Sequence, residues 1–543
     1  MSHGVSQVPR AVNEPVKGYA PGSPEKAAIK AKLEELAGQT IEVPLIIGGE
    51  EVRTGNLGKM VMPHDHGHVL GSFHKAGESE VQAAIAASQA ARADWSAMPW
   101  QDRAAIFLRA AEMLATTHRD GVNASTMLGQ SKTVHQAEID AACELIDFYR
   151  FNAQFLQELY EAQPVSSHGC WNRVEHRPLD GFVFAITPFN FTSIAGNLPT
   201  APALLGNTCL WKPASTSVYS NWFLMQLLMD AGLPPGVINF IPGSGAEVGD
   251  PVLASERLAG VHFTGSTGTF QGIWKTIGNN IANYKQYPRL VGETGGKDFI
   301  FAHASASFEA LVTALVRGAF EYQGQKCSAA SRAYIPRSLW TRIEERLVEE
   351  LAQLEMGDVR DFRNFCGALI DASSFRTLKT AIERAKSDPK CRIVAGGECD
   401  DSQGYFVRPT VVEVTDPLHE SMSTEYFGPL LTVFVYDDDK FSETLALCDR
   451  TASYALTGCI MADDRSRVVE AYEALRFCAG NFYINDKPTG AVVGQQPFGG
   501  SRASGTNDKA GSLLNLQRWC SQRTVKETFV PPTDWRYPFM NER

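Results

Sequence analysis

The apolar residues in the first part of the chain recur mostly at helical spacing. Ser23-Pro24 is typical of a helix start, because a Ser N-cap and a Pro at the first helical position are both favoured there. Apolar residues on one face continue to Leu36, and Gly38 fits the end of this helix. The same spacing, with many alanines, predicts further helices near residues 79–95, 101–117 and 133–162.

Strand signals first arise in a predicted hairpin over 41–52, around Gly48-Gly49. From residue 181 short apolar runs alternate with helical segments. The runs lie at 181–186, 208–211, 237–241 and 260–263, with helical segments near 193–205, 216–231 and 246–254. A second alternation follows Glu293, with a helix near 307–323 and strands at 299–301, 411–414, 430–436 and 458–461. This alternation predicts parallel sheets of βαβ units, and therefore two successive α/β domains.

The bulk composition excludes several classes of function. The chain has 543 residues, which is too long for one hydrophobic core, so two or three domains are expected. The net charge is −11, which argues against binding to nucleic acid or to an anionic membrane. No apolar run approaches the length that spans a bilayer. A small-molecule substrate is the expected partner.

The eleven cysteines are scattered and contain no C-x-x-C pair. Neither a zinc site nor a disulfide framework is indicated, so we expect no metal and a reducing compartment. The N-terminus has no apolar segment of the secretory type, and Glu14 with a single Arg disfavours a transit peptide. We expect the cytoplasm, or the mitochondrial matrix if the source is eukaryotic.

Two Gly-rich contexts carry the strongest chemical signal. Cys327 lies in Tyr-Gln-Gly-Gln-Lys-Cys-Ser, and Glu293 opens Glu-Thr-Gly-Gly-Lys upstream of it. A thiolate is a soft nucleophile, and a carboxylate can serve as a general base. Taken alone, a free cysteine is usually a small buried hydrophobe and a lone Glu is usually a solvated charge. The interpretation therefore depends on the two contexts and their order.

An oxyanion-binding group is predicted at Asn190, in Thr-Pro-Phe-Asn-Phe directly after a predicted strand. The Asn side chain can donate an N–H to a developing oxyanion, together with the backbone N–H of Cys327, and such a donor contributes about 2.7–4 kcal/mol. The alternative is an Asn that merely belongs to a Pro-fixed turn.

A dinucleotide site is predicted where strands end. The turn formed by Gly265, Ser266, Thr267, Gly268 and Thr269 offers backbone N–H groups to a pyrophosphate at the start of a helix. It is not the usual G-x-G-x-x-G, and a simple β–α turn is the alternative. Lys212 at another strand end can bond ribose hydroxyls, although a lone Lys is more often solvated.

These motifs occur in a fixed order that ends with Pro497-Phe498-Gly499-Gly500. Over about residues 40–530, the ordered set resembles the aldehyde dehydrogenase superfamily. The resemblance implies an α/β, aldehyde dehydrogenase-like fold: a Rossmann-type NAD-binding domain, an α/β catalytic domain and a small β oligomerisation element. It also implies that Glu425 orients the nicotinamide ribose, with Phe427 beside it, and that the chain forms a homodimer or an assembly of dimers.

The stretch Thr489–Asp508 resembles most closely those members that oxidise L-glutamate γ-semialdehyde to L-glutamate, the second step of proline catabolism. By this resemblance, the backbone of Gly490 and Ala491 and the hydroxyl of Ser328 hold the substrate carboxylate, and Phe191 and Phe498 enclose its aliphatic part. Ala491 stands where some relatives have Ser, which affects one side-chain contact. A slot with fixed polar donors penalises aldehydes that leave those donors unpaired.

NAD is the cofactor that the resemblance implies. Many NAD-preferring members carry a Glu three residues after the strand-end Lys, where it repels the 2′-phosphate of NADP. Here Ser215 occupies that place, so strict exclusion of NADP does not follow. Three alternatives stay open: another semialdehyde dehydrogenase of this fold, a CoA-acylating enzyme, which Glu293 disfavours, and a non-catalytic protein.

The resemblance also implies domain boundaries. They are an N-terminal arm and helix over 1–40, the NAD-binding domain over 41–164 and 181–292, an oligomerisation hairpin over 165–180, the catalytic domain over 293–484, an anchor loop and return to the NAD-binding domain over 485–510, and an oligomerisation strand and tail over 511–543. The hairpin and the tail strand are expected to pair across a two-fold axis.

Overall fold

The computed structural model describes residues 4–542. Residues 1–3 of the predicted arm and residue 543 of the predicted tail lie outside the described residues. The α-helices are α1 Pro24–Ala37, α2 Glu78–Ala97, α3 Trp100–Ala115, α4 Arg119–Gln130, α5 Val134–Ala137, α6 Leu145–Glu161, α7 Thr192–Leu204, α8 Val218–Asp230, α9 Gly245–Ala254, α10 Thr267–Asn279, α11 Phe308–Phe320, α12 Arg337–Gln353, α13 Ala372–Ser387, α14 Phe441–Thr451, α15 Arg465–Ala474 and α16 Leu513–Gln517.

The strands are short, as expected for α/β domains. They are β1 Ile41–Val43, β2 Leu45–Ile47, β3 Glu50–Val52, β4 Leu57–Met62, β5 Asp65–His74, β6 Cys170–Pro178, β7 Phe182–Ile186, β8 Thr208–Lys212, β9 Ile238–Phe240, β10 Leu258–Thr264, β11 Arg289–Glu293, β12 Asp298–Ala302, β13 Ala330–Pro336, β14 Cys391–Ala395, β15 Cys399–Asp400, β16 Phe406–Val407, β17 Thr410–Val414, β18 Leu430–Tyr436, β19 Tyr454–Ala455, β20 Thr457–Met461, β21 Asn481–Ile484, β22 Ser501–Arg502 and β23 Cys520–Thr528.

The first large sheet has the order β11-β10-β7-β8-β9-β2-β3. Its strands from β11 to β9 are parallel, and the predicted hairpin β2–β3 closes the far edge in antiparallel pairing. Gly48 and Gly49 at its turn have φ of 62° and 87°, a left-handed conformation that favours glycine. Strands of this sheet are buried on both faces, which explains their continuous apolar runs.

The second large sheet has the order β14-β17-β18-β13-β12-β20-β21 and is parallel except at β14. Its core contains the apolar residues of β12, β13 and β18 and the inner faces of α11–α14. The two large, mainly parallel sheets confirm the predicted α/β fold class. Because ligands bind at the carboxyl ends of parallel strands, the ends of β7, β8, β10 and β11 are where a site is expected.

The N-terminal helix has the capping that its sequence predicts. The Ser23 hydroxyl accepts a hydrogen bond from the backbone N–H of Lys26 at 3.3 Å, and Pro24 occupies the first turn. A cap of this kind is typically worth about 1 kcal/mol. The helix buries Ile29, Leu33 and Leu36, as their helical spacing indicates.

The prediction of a hairpin over 165–180 is wrong. The segment contributes one strand, β6, and its partner is β23 of the same chain in an antiparallel ribbon with nine paired positions, from Cys520↔Pro178 to Thr528↔Cys170. The tail strand satisfies the backbone groups of β6 within the chain, so these two strands do not need a two-fold axis to pair. The residues of β6 are of intermediate burial or exposed, and none is fully buried, so its sequence carries no signal of its partner.

Four features of the first 162 residues were not predicted. Helix α4 and the antiparallel pair β4–β5 lie where no element was expected, and β1 pairs with β5 rather than within the hairpin. The long helical stretch predicted over 133–162 is divided by a π-helical segment, Glu138–Glu144. Such insertions frequently accompany functional sites. Among residues 4–542, no helix combines the length and apolar character needed to cross a bilayer.

Candidate active site

Cys327 lies in a turn that the chain adopts only under constraint. Three consecutive residues before it, Tyr322, Gln323 and Gly324, have φ of 52°, 53° and 65°. The Gln323 side chain holds this turn by donating to the carbonyls of Ser131 and Ala368. A Cβ at Gly324 would lie 2.4 Å from the carbonyl oxygen of Gly428, so only glycine fits. Left-handed non-glycine residues of this kind cluster at active sites.

Burial and charge both keep the Cys327 thiol protonated. Burial raises the pKa of Cys327, and the nearby carboxyl groups of Asp298, Glu425 and Glu293 raise it further. The thiol is therefore a poor nucleophile until a base removes its proton or a positive charge arrives beside it. A thiol of ordinary pKa, about 8.5, already needs such activation at neutral pH, and the buried environment of Cys327 makes the requirement stronger.

Glu293 ends β11 and is held by the motif at the other end of the chain. Its Oε2 accepts a hydrogen bond of 2.7 Å from the Gly500 N–H. A Cβ at Gly499 would lie 3.1 Å from Oε1, and one at Gly505 would lie 2.9 Å from Oε2. The Pro-Phe-Gly-Gly motif is therefore a close-fitting cradle for this carboxyl group.

The environment of Glu293 favours a basic carboxylate. Burial raises its pKa well above the usual range, against the lowering effects of the Gly500 N–H and the Lys509 ammonium. A carboxylate with a raised pKa accepts a proton more readily, which suits a general base near neutral pH.

Asn190 is brought next to the nucleophile. It follows β7, is 3% exposed, and its Nδ2 donates to the Gln325 carbonyl at 3.0 Å. A primary amide has two N–H groups, so a second donor remains for a ligand oxygen. The bond joins Asn190 to Gln325, two residues before Cys327, and so holds the amide next to the segment that carries the thiol.

One cavity of about 280 Å³ joins two of the three predicted catalytic residues, Cys327 and Glu293, with the predicted substrate residues. Asn190 is not among the residues that line it. Its lining includes Cys327, Glu293, Phe191, Ser328, Gly490, Ala491 and Phe498. The Ser328 hydroxyl lies 2.8 Å from that of Thr489, and Gly490 has φ of 100°. Two hydroxyls and the N–H groups of a left-handed loop thus lie at one wall of the cavity, which suits binding of a carboxylate.

Sequence reasoning missed a set of acidic and basic side chains at this cavity. Lys132 and Asp140 form a buried ion pair of 2.6 Å, and Asp140 accepts the N–H groups of Thr192 and Ser193 at the start of α7. Burial, with Asp140 nearby, raises the pKa of Glu144 to about 8. These acids lie in or beside the π-helical segment, and an Ala-rich helical pattern gives no sign that they face a cavity.

The N-terminal arm also reaches the cavity, which no local pattern indicated. Asn13 donates to Asp147 and to the Val493 carbonyl, both at 2.8 Å. Gln495 donates to the Asn13 oxygen at 2.9 Å. The Glu14 N–H donates to Asp147 at 2.7 Å. The arm therefore fastens the loop that follows Gly490 to helix α6, and Asn13 and Glu14 line the cavity.

The predicted cofactor residues lie outside this cavity, at strand ends of the first sheet and around Glu425. Lys212 is buried, and burial lowers its pKa to about 8. Its ammonium donates to the Pro213 carbonyl at 3.2 Å and has two further hydrogens for a ligand. Ser215 is exposed at the start of the next turn, with no carboxylate in its place to repel a phosphate.

Helix α10 begins in the predicted Gly-Ser-Thr-Gly-Thr turn. The Ser266 hydroxyl caps the helix by accepting from the Thr269 N–H, and Thr267 donates to Thr294 at 2.9 Å. The Gly265 N–H donates to the Glu293 carbonyl, which ties this turn to the catalytic strand. No atom lies within 4 Å of a Cβ built on Gly268, so a phosphate has open access to the helix N-terminus.

Glu425 and Phe427 approach from the second domain. The Glu425 carboxylate accepts the Gly296 N–H at 3.0 Å through one oxygen, and burial raises its pKa to about 7. Phe427 has φ of 56° and packs edge-on against Phe189, with ring centroids 5.8 Å apart. The second carboxylate oxygen is free to accept from a ligand hydroxyl.

A cysteine thiol and a buried carboxylate line one cavity, and the Asn190 amide is hydrogen-bonded to the segment that carries the thiol. Beside a parallel sheet of the nucleotide-binding type, these groups are typical of an oxidoreductase that works through a thiol. The aldehyde dehydrogenase family profile matches residues 53–525. The chain belongs to the aldehyde dehydrogenase family, as the sequence resemblance predicted.

Individual relatives are similar over nearly their whole length. The mitochondrial Δ1-pyrroline-5-carboxylate dehydrogenases of Dictyostelium discoideum and Homo sapiens are 53% and 50% identical to this chain. The alignments cover 99% and 98% of this chain and 98% and 94% of those proteins. The crystal structure of the Δ-pyrroline-5-carboxylate dehydrogenase from Mycobacterium tuberculosis bound with NAD has a TM-score of 0.97 and 55% identity, with both chains fully covered.

Proposed function

We propose that this protein oxidises L-glutamate γ-semialdehyde, the open form of Δ1-pyrroline-5-carboxylate, to L-glutamate with NAD, as in the second step of proline catabolism. The observation that carries the proposal is the single cavity in which Cys327 and Glu293 lie together with the polar wall around Ser328 and Gly490. The names of the relatives and of the NAD-bound structure support the substrate and the cofactor.

In the first step, Cys327 attacks the aldehyde carbon. Its thiol proton passes to a base, the sulfur–carbon bond forms, and the carbonyl oxygen becomes an oxyanion. The second N–H of Asn190 and the backbone N–H of Cys327 donate to that oxyanion. A donor of this kind typically lowers the barrier by about 2.7–4 kcal/mol.

NAD, when bound, accepts the hydride that leaves the substrate carbon. The product of that transfer is a thioester on Cys327. Glu293 then takes a proton from a water molecule, whose oxygen attacks the thioester carbon and expels the thiolate. The overall reaction converts aldehyde, NAD and water into carboxylate, NADH and two protons. The Gly500 N–H keeps the Glu293 carboxylate in place for the proton transfer.

The residues at the strand ends fit NAD. Lys212 keeps two hydrogens for ribose hydroxyls of the adenosine half. The open N-terminus of α10, over Gly268, suits the pyrophosphate. Glu425 keeps one oxygen for the nicotinamide ribose. Ser215 brings no charge toward a 2′-phosphate, so NADP is expected to be a weaker but usable alternative.

The substrate fits through its amino-acid end. The N–H groups of Gly490 and Ala491 and the hydroxyl of Ser328 donate to the carboxylate, while Phe191 and Phe498 contact the methylene groups. An aldehyde without a polar end leaves those donors unpaired, at a cost of about 1–3 kcal/mol for each buried group. This cost is the source of selectivity in the proposal.

Steady-state formation of NADH tests the proposal. We expect kcat/KM for L-glutamate γ-semialdehyde to exceed that for succinate semialdehyde, propanal and hexanal at matched concentrations. A preference for succinate semialdehyde would instead identify another semialdehyde dehydrogenase and would contradict the role assigned to the wall at Gly490-Ala491.

The proposal includes an assembly and a compartment. The β6–β23 ribbon exposes Trp171 and, beyond it, Phe529 and Val530, and these apolar groups support a homodimer or an assembly of dimers. Light scattering tests this, and a monomer at micromolar concentration would contradict it. Eleven free cysteines and the mitochondrial relatives support a reducing compartment: the bacterial cytoplasm or the mitochondrial matrix.

A further inference from the structure

Three side chains with metal-binding atoms meet at the outer edge of the second sheet, apart from the cavity. Asp388 follows α13, Cys391 begins the edge strand β14, and His419 precedes the short turn Glu420–Met422. Their ligand atoms all lie within 4.8 Å of one another. The Cys391 Sγ is 3.5 Å from the His419 Nε2, which is 3.3 Å from the Asp388 Oδ2.

These distances match the edges of a zinc tetrahedron. Zinc lies about 2.3 Å from sulfur, about 2.0–2.1 Å from imidazole nitrogen and about 2.0–2.2 Å from carboxylate oxygen. At the tetrahedral angle, such bonds separate sulfur from nitrogen by about 3.6 Å and nitrogen from oxygen by about 3.4 Å. The two observed distances agree with these values, and the sulfur and the carboxylate oxygen lie within 4.8 Å of each other. The three ligand atoms are therefore close enough together to bind one zinc ion.

We propose that Asp388, Cys391 and His419 form a binding site for Zn²⁺ or a similar divalent transition metal, with a water molecule as the fourth ligand. The set combines a soft thiolate, an imidazole and a carboxylate, which is a donor set that zinc accepts. The two anionic ligands balance the charge of the ion. This site is separate from the proposed catalytic machinery, and the proposal does not depend on the substrate.

Hydrogen bonding alone explains the arrangement less well. The imidazole Nε2 carries at most one hydrogen, yet it faces both Cys391 and Asp388. Its 3.3 Å separation from the carboxylate oxygen is beyond the usual 2.7–3.2 Å range of an N–H···O bond. One hydrogen shared between two long contacts leaves these three partly buried polar groups poorly hydrogen-bonded. A metal ion would bond to all three.

The surroundings hold each ligand in position. The Lys390 N–H donates to the other Asp388 oxygen at 2.8 Å, and Cys391 is fixed by its antiparallel pairing with Val414. The His419 Nδ1 lies 2.7 Å from the Ser421 hydroxyl. When Nε2 binds a metal, the Nδ1–H can donate a hydrogen bond to that hydroxyl oxygen. Because Nδ1 would then carry the hydrogen, metal binding would break the longer hydrogen bond, of 3.2 Å, from the Ser421 N–H to Nδ1.

The nearby cations have anionic partners, which reduces their repulsion of a bound ion. Lys390 pairs with Asp416 at 2.9 Å, and Arg384 pairs with Glu420 at 2.9 Å. The expectation that the chain binds no metal followed from the lack of a C-x-x-C pair, and this site contains only one cysteine. Here the third ligand comes from a different turn, which only the packing of β14 against β17 brings close.

Titration with Co²⁺ tests the site in the full-length chain with the Cys327→Ser substitution, which removes the thiol of the cavity. A thiolate bound to Co²⁺ gives a charge-transfer absorption band. We expect this band to saturate at one equivalent. We expect Cys391→Ser to abolish the band, and Cys399→Ser to retain it, because Cys399 is equally half-buried at a neighbouring strand but has no His partner.

Two further readouts keep the test decisive. Zn²⁺ should displace Co²⁺ and remove the band. Zn²⁺ should also raise the Tm of the Cys327→Ser chain that retains Cys391, and it should leave the Tm of the chain with the added Cys391→Ser substitution unchanged. If Cys391→Ser fails to fold, as judged by circular dichroism, His419→Asn replaces it, since its amide oxygen can still accept from the Ser421 N–H. Absence of the band with all three ligands present, or its survival in a folded ligand variant, would overturn the proposal.

Discussion

The hydroxyl pair of Ser328 and Thr489 allows a quantitative test of substrate anchoring. The two oxygens lie 2.8 Å apart, and both residues are buried at the cavity wall. Each hydroxyl has one hydrogen, so one hydrogen joins the pair and the other is available to a ligand. When Ser328→Ala removes one hydroxyl, the Thr489 hydroxyl loses its partner and can turn its own hydrogen toward the substrate.

This compensation sets the expected magnitude. A hydrogen bond to a charged group contributes about 1.5–3 kcal/mol, and partial replacement by Thr489 places Ser328→Ala near the lower value. A loss of about 1.5 kcal/mol raises KM for L-glutamate γ-semialdehyde about tenfold. The double variant Ser328→Ala/Thr489→Val has no hydroxyl left, and we expect a loss of about 3 kcal/mol, on the order of 150-fold.

The assay compares kcat and KM for L-glutamate γ-semialdehyde and for hexanal in the parent, the two single variants and the double variant. Hexanal has no polar end that could bond to these hydroxyls. Its kcat/KM is therefore expected to stay within about twofold of the parent value in every variant, a difference of about 0.4 kcal/mol. An equal loss for both aldehydes would show that Ser328 acts on the adjacent Cys327. That result would refute the anchoring role.

Four further predictions follow from the site. Cys327→Ser is expected to abolish aldehyde oxidation while NAD still binds in a fluorescence titration, and any remaining turnover would contradict the role of the thiol. Burial raises the pKa of Glu293, so the rate of thioester hydrolysis should increase as the pH rises through that pKa and the carboxylate forms. Glu293→Gln should remove this increase and slow hydrolysis more than the first burst of NADH, and an unchanged steady-state rate would exclude the base role. Ser215→Glu should lower kcat/KM for NADP about tenfold or more but hardly that for NAD, because charges about 4 Å apart repel by about 1–4 kcal/mol near a protein surface; equal losses would argue against this contact. Asn13→Ala removes two bonds of 2.8 Å to Asp147 and Val493 and should raise KM for the aldehyde several-fold, at about 0.5–1.5 kcal/mol per bond, with kcat nearly unchanged; an unaltered KM would show that the arm does not order the loop.

Local periodicity was sufficient for most of the regular elements. The predicted strands at 181–186 and 208–211 correspond to β7 and β8, and the predicted helix near 193–205 corresponds to α7. These elements could be predicted because the spacing of apolar residues within one element reflects only its own geometry. The prediction over 165–180 was wrong because the partner of that strand lies about 350 residues away in the chain.

The candidate catalytic groups could be found for a similar reason. Cys327, Glu293 and Asn190 each lie at or next to the end of a strand, in a short motif rich in Gly or Pro. The backbone requirements of such a motif are visible in a few consecutive residues. The sequence alone therefore determined the α/β class and the family resemblance, and it was sufficient to propose the three catalytic groups. The ordered motifs also led to the correct expectation of membership in the aldehyde dehydrogenase family.

Tertiary structure decided how those groups are held and what else meets them. The Gly500 N–H reaches Glu293 across 207 positions of the chain, and Asn13 reaches Val493 across 480. The cluster of Asp388, Cys391 and His419 likewise depends on the pairing of an edge strand. Contacts of this kind leave no periodic trace, because they depend on how separate elements pack rather than on the conformation of any one segment.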